Sequence, residues 1–230
     1  MRCLAALLLV AATGSVASAH FTLMMPAAYS KQDSFGAPEK SPPCGQADPG
    51  TPIQMVPGEV TFATGDTITV MIDENIFHPG HYRVAIAQDL TSLPADPAVT
   101  AGTGTPCGSA AIETSPALPV IADNLMVHTS SFSGPQSVQV KLPANFACAH
   151  CLLQVVEFMS DHPLNNPGGC FYHHCARVSI TDNGVNPPPL SPDVTPVADA
   201  PMGCCDVHGG TPSLVLVAFV ALVLGRRRRR

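Results

Sequence analysis

The sequence predicts an all-β protein, an immunoglobulin-like or fibronectin-like antiparallel β-sandwich with long loops. About seven short runs alternate apolar and polar residues with the period of two that is typical of a half-buried strand. Glycine and proline, 18 and 24 of the 230 residues, separate these runs and supply turns. Between its two ends the chain carries few charges, and this composition favours a β domain with many turns over a helical bundle.

The predicted strands follow an irregular stretch, residues 26–57, in which Pro and Gly recur. The first two strands flank the turn Thr64-Gly65-Asp66, and a loop-rich stretch ending near residue 124 separates the third strand from the fourth. Two packed antiparallel sheets would bury the apolar faces of such strands. The seven runs are residues 59–63, 67–72, 81–87, 125–132, 137–142, 151–159 and 175–181.

Residues 1–19 are interpreted as a secretory signal peptide. Arg2 supplies the positive start, residues 4–12 form a short apolar core, and residues 17–19 form an A-x-A cleavage site. The apolar run is much shorter than the roughly 20 residues that a membrane-spanning helix needs. Cleavage after residue 19 would make His20 the first residue of an exported protein.

The C-terminal part is predicted to be a linker followed by an anchor. Residues 183–202 are a Pro-rich spacer. Residues 203–230 combine a Gly-Cys-Cys motif, a short apolar run and five arginines, which the positive-inside rule keeps on the cytoplasmic side. This tail resembles the C-terminal surface-sorting signals of myxobacteria. The resemblance implies a sorting peptidase and a place at the bacterial cell surface, associated with the outer membrane; a plain single-span transmembrane anchor is the alternative.

The charge balance narrows the class of partner. Arg2 and the five terminal arginines hold six of the 11 basic residues, so the chain without its ends keeps five against 17 acidic residues, near −12. Such an acidic protein is a poor candidate for nucleic acid. Contact with the membrane is therefore expected through the tail only. The protein is also expected to be a monomer.

Six of the nine cysteines lie between the signal peptide and the tail. An even number of cysteines in an exported domain predicts disulfides. Zinc is the competing interpretation for the motif "CAHC" with "HHC" nearby, but exported thiols normally oxidise. The six are Cys44, Cys107, Cys148, Cys151, Cys170 and Cys175.

A free His20 would be a metal chelator. Its α-amine and its own Nδ1 can bind one ion, and a second histidine from a loop would complete a planar three-nitrogen site, which favours Cu(II). The segment "FHPGHYRVAI" offers two histidines. His78, in the loop, is the favoured ligand, and His81, at the start of the strand, is the alternative.

The remaining histidines are expected to be packed or exposed. His173 and His174 are neighbours in a predicted strand and would face opposite sides, so at most one would face a metal site. His162 is a candidate for supporting a ligand by a hydrogen bond. His128 and His150 carry no metal-binding signal.

Three segments together resemble the lytic polysaccharide monooxygenase superfamily: "HFTLMMPAAYS…SPPCG", "HPGHYRVAI" and "CLLQVVEFM…GGCFYHHCARVSI". The resemblance spans about residues 20–181, and the domain is predicted to be residues 20–182. It implies a copper ion in a histidine brace made by His20 and by His78 of an H-x-G loop, with Tyr172 at the axial position of a catalytic site. It also implies oxidative cleavage of an insoluble polysaccharide.

The opening is also similar to a second branch of that superfamily, copper-binding proteins that include the fungal copper-acquisition factors. The dipeptide His20-Phe21 and a later "PCG" carry this similarity. It implies non-catalytic copper capture or storage as the alternative function. An acidic residue can join the site in this branch, and the resemblance also implies a disulfide between Cys44 and Cys175. The acidic candidates, among which the sequence does not choose, are Asp73, Glu74 and Asp161.

The chain departs from typical monooxygenases in its aromatic residues. It has no Trp and only three Tyr, whereas binding to a flat sugar surface relies on exposed aromatic rings. Cys170, two residues before Tyr172, stands where many active members carry a hydrogen-bonding Gln or Glu. The sequence therefore predicts a copper site and leaves open whether that site is catalytic.

Overall fold

The computed structural model describes residues 20–45, 54–182 and 184. The segments predicted to be a signal peptide, a linker and a sorting tail lie outside the described residues, apart from Gly184 of the linker. Within them the chain forms ten strands and one short 3-10 turn, Leu90–Ser92, so the all-β prediction is confirmed. The strands are β1 (His20–Met25), β2 (Val60–Ala63), β3 (Thr67–Ile76), β4 (Gly80–Ala87), β5 (Val99–Gly102), β6 (Thr105–Ala110), β7 (Val120–His128), β8 (Gln136–Lys141), β9 (Cys148–Met159) and β10 (Phe171–Thr181).

The strands form two main sheets and a separate hairpin. A three-stranded antiparallel sheet has the order β1-β3-β8, a five-stranded sheet has the order β2-β10-β9-β4-β7, and β5 pairs with β6. One pairing differs from the antiparallel prediction, because β2 runs parallel to β10 at the edge of the larger sheet. These two strands are joined by most of the domain, so no tight hairpin constrains their directions.

The two main sheets bury their apolar faces against each other. The principal core cluster takes residues from both sheets, for example Phe21 and Leu23 from β1 and Tyr82 and Val84 from β4. The ring of Phe21 meets the ring of Tyr82 edge-on, with the centroids 5.3 Å apart. The alternation in the sequence therefore marks the inner faces correctly, and the two sheets form a sandwich.

Three strands, β1, β5 and β6, lack the sustained alternation of apolar and polar residues by which the other strands were predicted. In β1, Phe21 and Leu23 are buried and alternate with His20 and Thr22, but Met24 and Met25 are 44% and 47% exposed, so the alternation ends after four residues. The hairpin of β5 and β6 is short and built mostly from small residues that stay at the surface. Hydrophobic periodicity does not detect strands of either kind.

Three disulfides confirm the oxidised state predicted for the six cysteines. Cys44 bonds Cys175, as the resemblance implies, Cys107 bonds Cys170, and Cys148 bonds Cys151. The cysteines of "CAHC" are thus bonded to each other and not available to zinc. Three disulfides are compatible with an exported protein. No helix in the described part of the chain is long and apolar enough to cross a membrane.

Candidate metal centre

Strand pairing brings the two predicted ligands together. His20 begins β1 and lies opposite Ile76, the last residue of β3. His78 lies two residues later, in the loop that leads to β4. The pairing of β1 with β3 therefore places the first residue of β1 beside this loop, close enough for the charge of His20 to act on His78.

Two further rings complete this cluster. Tyr172, near the start of β10, stacks on His20 with the ring centroids 5.5 Å apart and the planes 6° from parallel. His162 lies edge-on to His78, at 4.7 Å, and to Tyr172, at 5.9 Å. The three residues predicted for the site, His20, His78 and Tyr172, thus belong to one cluster, and His162 connects two of them.

A carboxylate that the sequence did not indicate also enters the site. Oε1 of Glu39 contacts Nδ1 of His20, and Oε2 accepts a hydrogen bond from the backbone N–H of Phe21 at 3.2 Å. The Glu39 side chain is fully buried, and the His20 side chain is 12% exposed. His174, behind them, places its Nε2 2.9 Å from the carbonyl oxygen of Phe21. The contact therefore fixes both the ring and the backbone at the start of β1.

The loop that carries Glu39 is fastened to β10. The disulfide between Cys44 and Cys175 crosses from this loop to the strand, and the backbone N–H of His173 donates to the carbonyl of Glu39 at 2.7 Å. Gly36 lies against β1, where a Cβ would come within 2.0 Å of the carbonyl oxygen of Phe21. The loop thus needs glycine at this position to bring Glu39 up to β1.

The ring of His78 is held in its neutral form. Burial lowers the pKa of His78 to about 4, and the neighbouring His162 acts in the same direction. The backbone N–H of His78 donates to Oε1 of Glu74 at 3.2 Å, which fastens the loop to β3. A neutral imidazole is the form that binds a metal ion, so His78 meets this requirement over the ordinary pH range.

The alternative ligand, His81, lies on the other face of the larger sheet. It is opposite Phe158 in the register of β4 and β9, and its ring packs on that phenyl ring at 5.2 Å. Its neighbour Tyr82 points into the sandwich. Alternation along β4 therefore directs His81 away from the cluster of His20 and His78.

The three acidic residues suggested by the sequence occupy other positions. Asp73 lies opposite Thr22 in the pairing of β1 with β3, and Asp161 acts on His78 only through its charge. Glu74 binds the backbone of the His78 loop. The contact to His20 comes from Glu39, which lies in an irregular Pro- and Gly-containing loop. No periodicity or motif in the sequence marks it.

The surroundings of the site contain little exposed aromatic surface. Tyr29, Tyr82 and Tyr172 are all buried. Phe35, 53% exposed, lies 6.2 Å from the His20 ring. Cys170 is bonded to Cys107 and supplies no hydrogen-bonding group like that of Gln or Glu.

The donor set fits a copper ion once the chain is cut before His20. In the 230-residue chain the nitrogen of His20 belongs to a peptide bond with Ala19. Cleavage would add that nitrogen, as an amine, to Nδ1 of His20 and the neutral ring of His78. Nitrogen donors of this kind suit Cu(II).

A comparison of the chain with models of protein families gave no match, and a comparison with curated proteins gave none either.

Proposed function

We propose that the protein is exported, loses its first 19 residues and binds one copper ion through His20 and His78. The observation that carries this proposal is the convergence of the two histidines, with Tyr172 stacked on one ring and His162 against the other. The α-amine and Nδ1 of His20 supply two donors and the ring of His78 supplies the third. Copper in such a site supplies one-electron redox chemistry when bound.

Glu39 adds a negative charge to this nitrogen set. Its carboxylate is buried and contacts the same Nδ1 atom that the proposed site uses. A carboxylate this close to a divalent cation favours the bound state. A carboxylate only accepts hydrogen bonds, so copper would displace a hydrogen of Nδ1 from this contact and take its place beside Glu39.

We favour copper capture at the cell surface as the biological role. The tyrosines of the domain are buried, and a surface for a flat polysaccharide needs exposed rings. An acidic residue at the site also agrees with the resemblance to the copper-acquisition branch. Oxidative cleavage of polysaccharide is the second candidate, and the stacking of Tyr172 on His20 favours it.

Calorimetric titration with Cu(II) tests the proposal. The protein that begins at His20 should bind one equivalent tightly. A matched protein with two extra residues before His20 loses one of three nitrogen donors and should bind at least about a hundredfold more weakly, since loss of even an outer hydrogen-bond partner costs about 10- to 100-fold. Equal affinities would overturn the site. The identity of the first residue of the exported protein is established separately by N-terminal sequencing.

An activity assay separates the two roles. Copper-loaded protein is incubated with chitin or cellulose, a reductant and peroxide, and the soluble products are analysed by mass spectrometry. Copper capture predicts that no oxidised oligosaccharides appear. Their appearance, and their loss on His78→Ala, would establish the monooxygenase role instead.

A further inference from the structure

A second group of metal-binding side chains lies inside the sandwich. Glu74 of β3, His128 of β7 and Glu157 of β9 bring one ligand atom each to within 4.8 Å of the others. The side chains of Glu74 and His128 are 1% and 4% exposed, and Glu157 is completely buried. This group shares no side chain with the copper site proposed above.

Both ring nitrogens of His128 have partners, and Nε2 is the one that faces a carboxylate. Its Nδ1 lies 2.9 Å from the carbonyl oxygen of Met126, and a carbonyl only accepts, so Nδ1 carries a hydrogen. Its Nε2 lies 2.9 Å from Oε1 of Glu74. Nε2 therefore either donates a hydrogen to this carboxylate or shares a metal ion with it. An N–H bound to a backbone carbonyl is also the usual way in which a histidine ligand is oriented.

Glu157 supplies a buried carboxyl group whose polar neighbour is the hydroxyl of Tyr82. Neither of its oxygens, nor the hydroxyl of Tyr82 opposite it in register, makes a hydrogen bond of ordinary geometry within the described residues. Burial raises the pKa of Glu157 well above its ordinary value, the carboxylates of Glu74 and Glu39 act in the same direction, and the hydroxyl of Tyr82 opposes them to a smaller extent. Such a carboxyl group needs either a proton or a cation.

The described residues supply no fixed positive charge for this group. Glu74 pairs with His128, and neither Glu74 nor Glu157 forms an ion pair with Lys or Arg in that part of the chain. A buried carboxylate without a counter-charge costs several kcal/mol. A divalent ion would balance both carboxylates at once when His128 is neutral.

We propose that Glu74, His128 and Glu157 bind a divalent cation of the zinc class inside the sandwich. One imidazole nitrogen with two carboxylates is a donor set that zinc accepts. The set is enclosed by the two sheets, so the binding free energy of the ion would add to the stability of the fold. Its three ligands come from both sheets, since β3 belongs to the smaller sheet and β7 and β9 to the larger. The ion would therefore join the sheets.

The position of this site gives it a second effect. Oε1 of Glu74, which faces His128, also accepts the backbone N–H of His78 at 3.2 Å. An ion that orders Glu74 would therefore also order the loop that presents His78 to copper.

The test uses protein in which the copper site is removed by His20→Ala and His78→Ala. His78→Ala keeps the backbone N–H that Glu74 binds. The protein is produced with zinc(II) in the medium, dialysed, and analysed by inductively coupled plasma mass spectrometry and by thermal unfolding with and without a chelator. The expected result is one zinc per chain and a melting temperature that the chelator lowers.

Two further variants identify the ligands. Glu157→Gln and, separately, His128→Gln should each weaken zinc binding by more than about a hundredfold, since loss of even an outer hydrogen-bond partner costs about 10- to 100-fold. The control is Glu59→Gln, which should retain the zinc. Glu59 is a partly exposed glutamate that pairs with His150. Circular dichroism checks that each variant is folded.

Two results would overturn the proposal. One is the absence of zinc from the His20→Ala/His78→Ala protein in which Glu74, His128 and Glu157 are all present. The other is zinc that remains at one equivalent in the folded Glu157→Gln protein. In either case a proton lies between Glu74 and His128, and Glu157 is a neutral acid. The proposed copper site is untouched by either result, because its own test uses the unsubstituted chain.

Discussion

The buried carboxylate of Glu39 contacts Nδ1 of His20, 19 residues earlier in the chain. One of its oxygens meets the ring and the other accepts the N–H of Phe21. The residue proposed to bind copper is thus held by side-chain and backbone contacts from a single group. This arrangement depends on the loop that the disulfide between Cys44 and Cys175 fastens to β10.

Replacing Glu39 by Gln should weaken copper binding. The change keeps the shape of the side chain and removes its charge, and at an effective dielectric constant of 20 two unit charges 4 Å apart interact by about 4 kcal/mol. We expect a loss of at least about tenfold in Cu(II) affinity, or about 1.4 kcal/mol, together with an altered copper EPR spectrum. Glu113→Gln, at a side chain 44% exposed, is the control. An unchanged affinity in Glu39→Gln would exclude a role for this carboxylate in binding.

His78→Ala and His81→Ala should differ sharply in copper binding. His78 lies in the cluster with His20, whereas His81 packs on Phe158 at the other face of the sheet. We expect His78→Ala to lose tight Cu(II) binding in a calorimetric titration and His81→Ala to keep it. The opposite result would assign the second ligand to His81.

The sequence indicates the framework of the fold better than the contacts of the site. Alternation reveals which residues face the space between the sheets, as in β4, where Tyr82 points into the sandwich and His81 is buried on the opposite face. It does not reveal the hairpin of β5 and β6, whose one buried residue is Cys107.

Some residues of the candidate site can be predicted from the sequence and others cannot. His20 and His78 are found because the cleavage site and the H-x-G loop mark them locally. Glu39 is not found, because its contact to His20 depends on the path of an irregular loop and on a disulfide to a strand 131 residues away. The sequence around Glu39 does not indicate the path of this loop.

The disulfide between Cys44 and Cys175 should support both stability and copper binding. It closes a loop of 131 residues, for which the chain-entropy model gives about 5 kcal/mol. The double variant Cys44→Ser/Cys175→Ser should therefore be strongly destabilised in urea unfolding. Under conditions where it stays folded, its Cu(II) affinity should also fall, because Glu39 is no longer held against His20.

The matched control is the disulfide between Cys148 and Cys151. These residues are three apart, and the same model gives about 2 kcal/mol for so short a loop. Cys148→Ser/Cys151→Ser should be the milder change and should leave Cu(II) affinity as it is. If both double variants lose copper equally, the effect is one of general stability and the positioning role assigned to the longer disulfide is wrong.

The ion pair of Arg83 and Asp123 predicts how stability depends on pH. Burial opposes the ionisation of Asp123, but the Arg83 guanidinium, 2.6 Å away, and the backbone N–H groups of Glu113 and Asn124 lower its pKa overall. A carboxyl group whose pKa is lower in the folded state stabilises the protein above its ordinary pKa of 3.8. That contribution is lost as the pH falls through the lower, folded value.

Asp123→Asn isolates this contribution. At pH 7 it should cost about 3 kcal/mol, because it leaves the Arg83 guanidinium, 7% exposed, without its closest partner. Glu113→Gln should cost under about 1 kcal/mol, since that partner is 44% exposed and 3.6 Å away. Urea unfolding at pH 7, 5 and 3 measures both. The gap between wild type and Asp123→Asn should narrow at pH 3, and a gap of constant size would show that the carboxylate charge is not what stabilises this pair.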